Sequence, residues 1–492
     1  MKNHRIIKLG LIISDKSDIR DYQIKIIHSL KKNKHFNVKL FYIDNHKQNI
    51  DGLKKIFFLE KKFHKKNYSS IKLISKYRKI VNISYKELES YKKNDVDIFI
   101  NLSAKNISNI IVGNNKIFWE IVYGNQNTHT YPVCFDNILN NDPFTKIKII
   151  ELHKNKFRII DEGFFNIKNY ALLNQEFVFE KTISILLKSL KLLSEKSINY
   201  KKTNKYYVKN KEIKLFEIFK YFFKNYLIYN FNSKKDNWQI FFSKKKKLYN
   251  LQNLSQNFIE NKSNSYFADP FIYNLRKKTY IFFENFSKKL NRGHISFIDL
   301  ENRKNIINII KKPYHLSYPF ILDYKNKIYL IPESSKKNQL QIWKCKTFPH
   351  KWFFFKKKLI GENFTDPTFF LDKKNNLWLF INKSIDKFKD HDSELYIYKV
   401  EDDFKKFVPH KLNPVVIDCR FARNAGNLFY YKKKLIKPCQ INIFGKYGYG
   451  LQLLEITKLN LNEFNFKKIN SFKNIHHLSV TDQYMTWDYN LK

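Results

Sequence analysis

Glycine and proline are scarce in these 492 residues, eleven of each, and arginine is scarcer still, at nine of the 92 basic side chains. The four cysteines (Cys134, Cys345, Cys419 and Cys439) form no C-x-x-C pair and no zinc-binding spacing. That excludes a cysteine-ligated metal centre and predicts buried free thiols, as suits a reducing cytosol. No apolar run reaches the ~18 residues that cross a bilayer. The opening Ile6–Ile13 is too short for a leader's apolar core and lacks a small-residue cleavage site, so it reads as a first strand. Acids are also few: 44 against 92 bases, a net charge of +48. Such a charge invites nucleic-acid binding by phosphate neutralisation. The shortage of arginine, the side chain suited to bidentate phosphate and base recognition, argues against it. Abundant Lys, Asn, Ile, Phe and Tyr with little Gly, Ala or Arg is the pattern of an A+T-rich coding sequence. On that reading, runs such as Lys244–Lys247 and Lys432–Lys434 are solvated faces. The expectation is a cytoplasmic protein with no transmembrane segment, its basic surface open to peripheral contact with anionic membranes or acidic glycans.

What remains is informative because the bias is so strong. Nine of the eleven prolines lie between 270 and 438, and Arg20, Arg420 and Arg423 fall inside motifs. Hydrophobic residues make up 43% and aromatics 17%, enough for two or three folded domains. Four times the chain repeats one short figure. Ala268-Asp269-Pro270-Phe271 precedes Tyr280-Ile281-Phe282-Phe283-Glu284, and Ser317-Tyr318-Pro319-Phe320 precedes Tyr329-Leu330-Ile331-Pro332-Glu333. Thr365-Asp366-Pro367-Thr368 precedes Leu377–Ile381, and Arg423-Asn424-Ala425-Gly426 precedes Leu435–Cys439. The third residue of each figure stands 14 positions before the end of its second run, and the figures are 49, 48 and 58 residues apart. A period near 50 built from short β-prone runs is the mark of propeller blades. His476-His477-Leu478-Ser479 with Tyr484–Tyr489 stands where a fifth figure belongs. Trp238–Phe242 is placed to close the ring. The prediction is an all-β five-bladed propeller over residues 236–492.

Residues 1–200 read as an α/β domain with a parallel sheet. Its strands are predicted at Lys8–Ser14, Val38–Ile43 and Val96–Leu102, and its helices at Asp21–Asn33 and Gln175–Ser194. Residues 201–235 read as a linker with one helix around Phe216–Tyr226, either a packing element or a membrane anchor.

The candidate chemistry lies at the predicted axis. Asp269 and Asp366 each precede a proline, which lacks an N–H and holds the preceding residue extended. Two carboxylates facing one cavity are what glycosidic chemistry uses, one as acid and one as base or nucleophile. Asp-Pro is also an ordinary turn dipeptide. Glu284 and Glu333 end apolar strands, where a charge needs a partner. Arg423 or Arg420 could supply it, either as an ion pair with Asp269 or Glu333 or as a clamp on a substrate anion. Gln440, Tyr447 and His315 complete the candidate substrate-binding set. The glycines at 445, 448 and 450 read as a strand-to-strand turn. No metal site is expected.

Several of these segments together resemble one known domain: Phe267–Phe271, Leu316–Phe320, Ile331–Ser334, Pro409–Val415 and Arg423–Gly426. It is the N-terminal propeller of plant glucosamine inositolphosphorylceramide transferases, also found in bacterial polysaccharide loci. That domain is similar to the arabinanase and β-xylosidase propellers. The resemblance implies a base at Asp269 and a pKa-modulating, positioning acid at Asp366. The superfamily's acid comes from the fourth blade, which here begins Arg423-Asn424-Ala425, and Glu333 is the nearest substitute. The N-terminal domain weakly resembles folate-dependent formyltransferases. Phe118–Asn125 looks like their helix ahead of a glycine turn, and Asp161-Glu162-Gly163 looks like their Asp-x-Gly motif. Their Asn and His-Pro-Ser-Leu motif is missing, so the resemblance implies a degenerate relative with Asp161 as its candidate residue. The expected function is glycosyl transfer in surface-glycan synthesis, with a nucleotide sugar as candidate donor and no other cofactor. A glycoside hydrolase and a non-catalytic glycan-binding propeller are the alternatives.

Overall fold

A computed structural model describes residues 6–13, 19–43, 60, 80–83, 96–103, 117–125, 128–129, 132–153, 156–198, 200–202, 209–211, 213–231, 237–244, 251, 257–303 and 305–491. Most of the lysine run at 244–247 lies outside them. The chain forms two compact units: Met1–Asn232 with Asp386–Phe388, and Ser233–Ile385 with Lys389–Lys492.

The first unit is built on an eight-stranded sheet. Ile80–Ile83, Phe36–Ile43, Ile7–Ile13, Ile98–Asn101 and Ile117–Tyr123 lie side by side in parallel. Phe144–His153, Lys156–Asn166 and Lys201–Lys202 extend it in antiparallel fashion. The predicted parallel sheet therefore covers only five strands. Its central strands are mostly apolar and buried, whereas Phe144–His153 alternates half-buried Lys146 and Lys148 with buried Ile147 and Ile149. Phe118–Asn125, expected to open as a helix, is strand through Tyr123. Its β-branched and aromatic run is paired along both edges. The helices Asp21–Lys31 and Ala171–Ser194 meet through Tyr22 and Phe179, stacked at 4.9 Å.

The second unit is a five-bladed propeller of antiparallel sheets, each four-stranded except the third, to which Val416–Ile417 adds a fifth strand. The inner strands of blades 1 to 3 are Ser265–Leu275, Ser317–Tyr324 and Phe364–Leu371. Blade 4 begins with Phe429–Tyr431, preceded by a bridge from Asn424 to Cys439. Blade 5 combines Ile475–Val480 and Tyr484–Asn490 with Trp238–Lys244 and Phe258–Ile259. Trp238–Lys244 pairs along its whole length with Tyr484–Asn490, so strands distant in sequence close the ring. Apolar layers fill the seams between blades. One holds Tyr318, Phe320, Phe369, Leu379 and Phe404, another Ala425, Phe429, Leu451, Leu478 and Trp487.

Candidate functional site

The repeated figure folds as a bulge. Pairing along the first two strands skips from Ala268 to Phe271, Ser317 to Phe320, Thr365 to Thr368 and Ile475 to Leu478. Two residues of each inner strand thus oppose one of its neighbour. The sequence predicts extended backbone before these prolines, and the structure overturns that at all three. Asp269, Tyr318 and Asp366 have φ of +50°, +47° and +52°. Left-handed backbone at such side chains costs on the order of 1–3 kcal/mol each and persists only where surroundings enforce it.

The enforcement is visible. Asp269, Tyr318, Asp366, Asn424 and His476 hold equivalent places on the five inner strands, and each backbone N–H donates to a side-chain oxygen. Asp269 N donates to Asp488 Oδ2 (3.1 Å), Tyr318 N to Asp269 Oδ2 (3.2 Å) and Asp366 N to Glu333 Oε2 (3.2 Å). Asn424 N donates to Asn382 Oδ1 (2.9 Å) and His476 N to Asp488 Oδ1 (3.3 Å). All but the last join one blade to the next. A buried N–H left without an acceptor would cost about 1–3 kcal/mol, so the acids hold the bulges as well as charging the axis.

Arg423 reaches into the same place. Its Nε lies 2.8 Å from Asp366 Oδ2 and its Nη1 2.9 Å from Asp392 Oδ1. Its guanidinium carbon lies 4.8 Å from the centre of the Tyr447 ring. The ion-pair reading holds, with Asp366 and Asp392 as partners rather than Asp269 or Glu333. Arg420 instead pairs with Asp418 at 2.6 Å.

On the opposite side, the His476 ring lies between two acids. Nδ1 is 2.7 Å from Asp488 Oδ1 and Nε2 is 3.4 Å from Asp269 Oδ1. Burial opposes its charge, but the two carboxylates prevail and raise its pKa to about 10. Burial would raise Asp269, yet the hydrogen bond and charge of His476, with His477 and Arg423, hold it below the usual carboxylate range. Glu333 moves the other way: burial and the charge of Asp366 push it well up, against Arg423. Burial and the charges of Asp269 and Glu333 also raise Glu284. His315 is held low by burial. Its Nδ1 accepts from Gly293 N (2.9 Å), and its Nε2 stands 3.5 Å from Glu284 Oε1. Gly293 is favoured there, because a Cβ would sit 2.6 Å from the Leu316 carbonyl oxygen.

The structure therefore brings Asp269, Glu284, His315, Glu333, Asp366, Arg423 and Tyr447 into one neighbourhood of contacts and charges. Gln440 is buried, and its N–H supports the Arg423 carbonyl at 2.9 Å. Asp161 belongs to the first unit, on Lys156–Asn166, where Lys188 pairs with it at 3.1 Å. Arg20 is likewise occupied, by Glu176 at 2.8 Å. The glycine cluster forms a turn between Lys434–Ile441 and Gly450–Leu459, as expected.

Asp392, His476, Asp488 and Asn382 were missed. His476 had a signal, since it occupies the Asp269 position of the fifth figure. Asp488 was a charge inside an aromatic strand. Asp392 comes from a loop, and no periodicity marks it. Among the described residues, Asp269, His476 and Asp488 form one group with potential metal-ligand atoms within 4.8 Å of one another. Both imidazole nitrogens already face carboxylates, so a protonated His476 supplies the positive charge that a cation would bring. Chemically, the axis sets Asp269, whose pKa is lowered, among Glu284 and Glu333, whose pKa values are raised, the opposed tuning that acid–base chemistry uses.

Fold and site together define a five-bladed propeller with a cluster of acids, His476 and Arg423 at the first two strands of its blades. Residues 249–487 match the family described as glucosamine inositolphosphorylceramide transferase 1, N-terminal. Glucosamine inositolphosphorylceramide transferase 1 of Oryza sativa subsp. japonica is 30% identical over 213 residues, 42% of this chain and 28% of the rice protein. That of Arabidopsis thaliana is 28% identical over 206 residues, 41% of this chain and 26% of the plant protein. The chain thus spans under a third of the length of these relatives. Among solved structures, RS223-β-xylosidase is similar at 12% identity and a TM-score of 0.34, covering 46% of this chain and 93% of that one. An endo-arabinase from Bacteroides thetaiotaomicron is similar at 16% identity and a TM-score of 0.31, covering 41% and 81%.

Proposed function

We propose that this protein takes part in glycosyl transfer during glycan assembly and engages its sugar substrate at the propeller axis. A nucleotide sugar is the donor class this reading requires. Asp269 acts as base, Glu333 as acid, and Asp366 positions Arg423 beside the sugar with Tyr447. The observation that carries the reading is the convergence of Asp269, Glu333, Asp366 and Arg423 through contacts between neighbouring blades, and the lowered pKa of Asp269 beside the raised one of Glu333 accords with it. The plant relatives' name, glucosamine inositolphosphorylceramide transferase, supports the reaction class. Four free thiols, three of them buried, support the cytoplasmic setting that accompanies the proposal.

A second reading, a non-catalytic glycan-binding propeller, is favoured by the engagement of Asp366 with Arg423 and by Tyr447, which is 45% exposed. Incubation with a panel of nucleotide sugars, polyprenyl-linked acceptors and aryl glycosides separates the cases. Donor turnover is expected, and Asp269→Asn and Glu333→Gln should each reduce it at least about a hundredfold. Both substitutions keep an oxygen able to accept the bulge N–H, so the fold should survive, as circular dichroism would verify. Aryl glycoside cleavage would transfer the same residues to hydrolysis. Binding without turnover, unchanged by Glu333→Gln, would replace catalysis with recognition.

A further inference from the structure

The helix Leu215–Phe231 of the first unit has two apolar faces, and one is already in use. Ile218 and Tyr221 are buried against Phe135, Ile138, Ala171 and Leu172. Tyr221 OH donates to Glu60 Oε2 at 3.1 Å and accepts from Ala171 N at 2.8 Å. The rotation and seating of the helix are therefore fixed. The other face looks outward: Leu215, Phe216, Phe219 and Phe223 are 74%, 73%, 69% and 55% exposed. Positions 216, 219 and 223 repeat at three and four residues, so they form one stripe along the helix. Single exposed apolar residues are ordinary, but a contiguous aromatic stripe marks an interaction surface.

Charge selects the occupant. Lys220 and Lys224 are exposed and flank the stripe, the latter reaching Asn141 Oδ1 at 3.2 Å. Glu217, the helix's only acid, is tied to Lys211 at 3.3 Å and to Lys214 N at 2.9 Å. A second copy of the chain would set lysine edge against lysine edge on molecules that each carry +48. No helix among the described residues is long and apolar enough to cross a membrane. An aromatic stripe with lysines along one edge is instead the composition of a helix lying in a bilayer interface. There the rings enter the acyl boundary and the lysines meet anionic headgroups.

We propose that Leu215–Phe223 is a docking surface for anionic membranes, on which the protein rests peripherally. The surface is independent of the propeller chemistry, so either proposal can fail alone. The test uses the full chain and two vesicle types, phosphatidylcholine with phosphatidylserine and phosphatidylcholine alone. Co-sedimentation with the anionic vesicles should exceed that with neutral ones. Replacing Phe216, Phe219 and Phe223 by serine should weaken it at least about tenfold while leaving the melting temperature unchanged. Background attraction from the remaining lysines is separated by Phe219→Trp. Its added fluorescence should shift to the blue and be quenched by brominated acyl chains, even after salt has screened surface charge. Equal binding by the triple-serine variant, or a Phe219→Trp signal unchanged by vesicles, overturns the proposal. Loss of a dimer in the triple-serine variant without loss of vesicle binding also overturns it and makes the stripe a protein interface.

Discussion

Residue by residue, the axis couples protonation to architecture. Asp269 takes the Tyr318 N–H and faces His476, and Asp488 takes three backbone N–H groups, those of Asp269, His476 and His477, while holding the same imidazole. Stability must therefore follow pH with definite signs. The folded pKa of His476 is raised to about 10 from 6.5. Its contribution is thus complete below about 6.5 and is lost as pH climbs to about 10. Glu284 and Glu333, raised above 4.5 by burial, slope the same way from that value upward. Asp269 is depressed below 3.8, so its contribution is present above that pH and lost as acid is added. Urea titrations from pH 4 to pH 10 should show stability declining across the alkaline half. His476→Gln should flatten the decline between about pH 6.5 and 10 without abolishing it. An unchanged slope in that variant would mean that the imidazole is not the titrating group.

The elements show which sequence signals carry far. Blade positions were legible because Tyr280–Glu284 and Tyr329–Glu333 are apolar runs tied at fixed distance to an X-Pro figure, and only strand pairing makes that distance regular. The conformation of the figure was not legible. Local sterics push the residue before proline toward extended backbone. Here an acceptor on the adjacent blade overrides them at Asp269, Tyr318 and Asp366, and nothing within four residues announces it. The fourth blade solves the same close approach with glycine. Gly426 has φ +125°, and a Cβ there would lie 1.8 Å from the Leu478 carbonyl oxygen. That backbone is fixed by the bond from Leu478 N to Ala425 O at 2.8 Å. Neither strand can yield without opening the seam between blades 4 and 5. Gly426→Ala should therefore lose about 3 kcal/mol or more. Chemical denaturation would measure it. A loss under about 1 kcal/mol would show that the inner strands are free to separate.

Taken whole, the propeller depends on strands that its sequence keeps far apart. Trp238–Phe242 could be recognised as a stray strand before the first figure, and ring closure gave it a place beside Tyr484–Tyr489. The first unit was harder to read. Apolar runs suit a parallel or an antiparallel neighbour equally, so Ile117–Tyr123 and the hairpin beyond it could not be assigned from pattern alone. Closure also predicts how damage spreads. Ile240 is fully buried on the closing strand, paired with Asp488 on one side and Ile259 on the other. Proline there removes a ladder hydrogen bond and intrudes on the strand carrying Asp488, which holds the first and fifth bulges. Asn465 lies exposed on the outer strand of blade 4, where proline meets water. Ile240→Pro should lower the stability of the whole propeller by at least about 3 kcal/mol in one cooperative transition, whereas Asn465→Pro should cost about 1 kcal/mol or less. Calorimetry on the two variants decides between a closed ring and five blades that stand independently. Equal shifts, or an Ile240→Pro variant that melts in two steps with blades 2 and 3 intact, would rule out closure as the source of cooperativity.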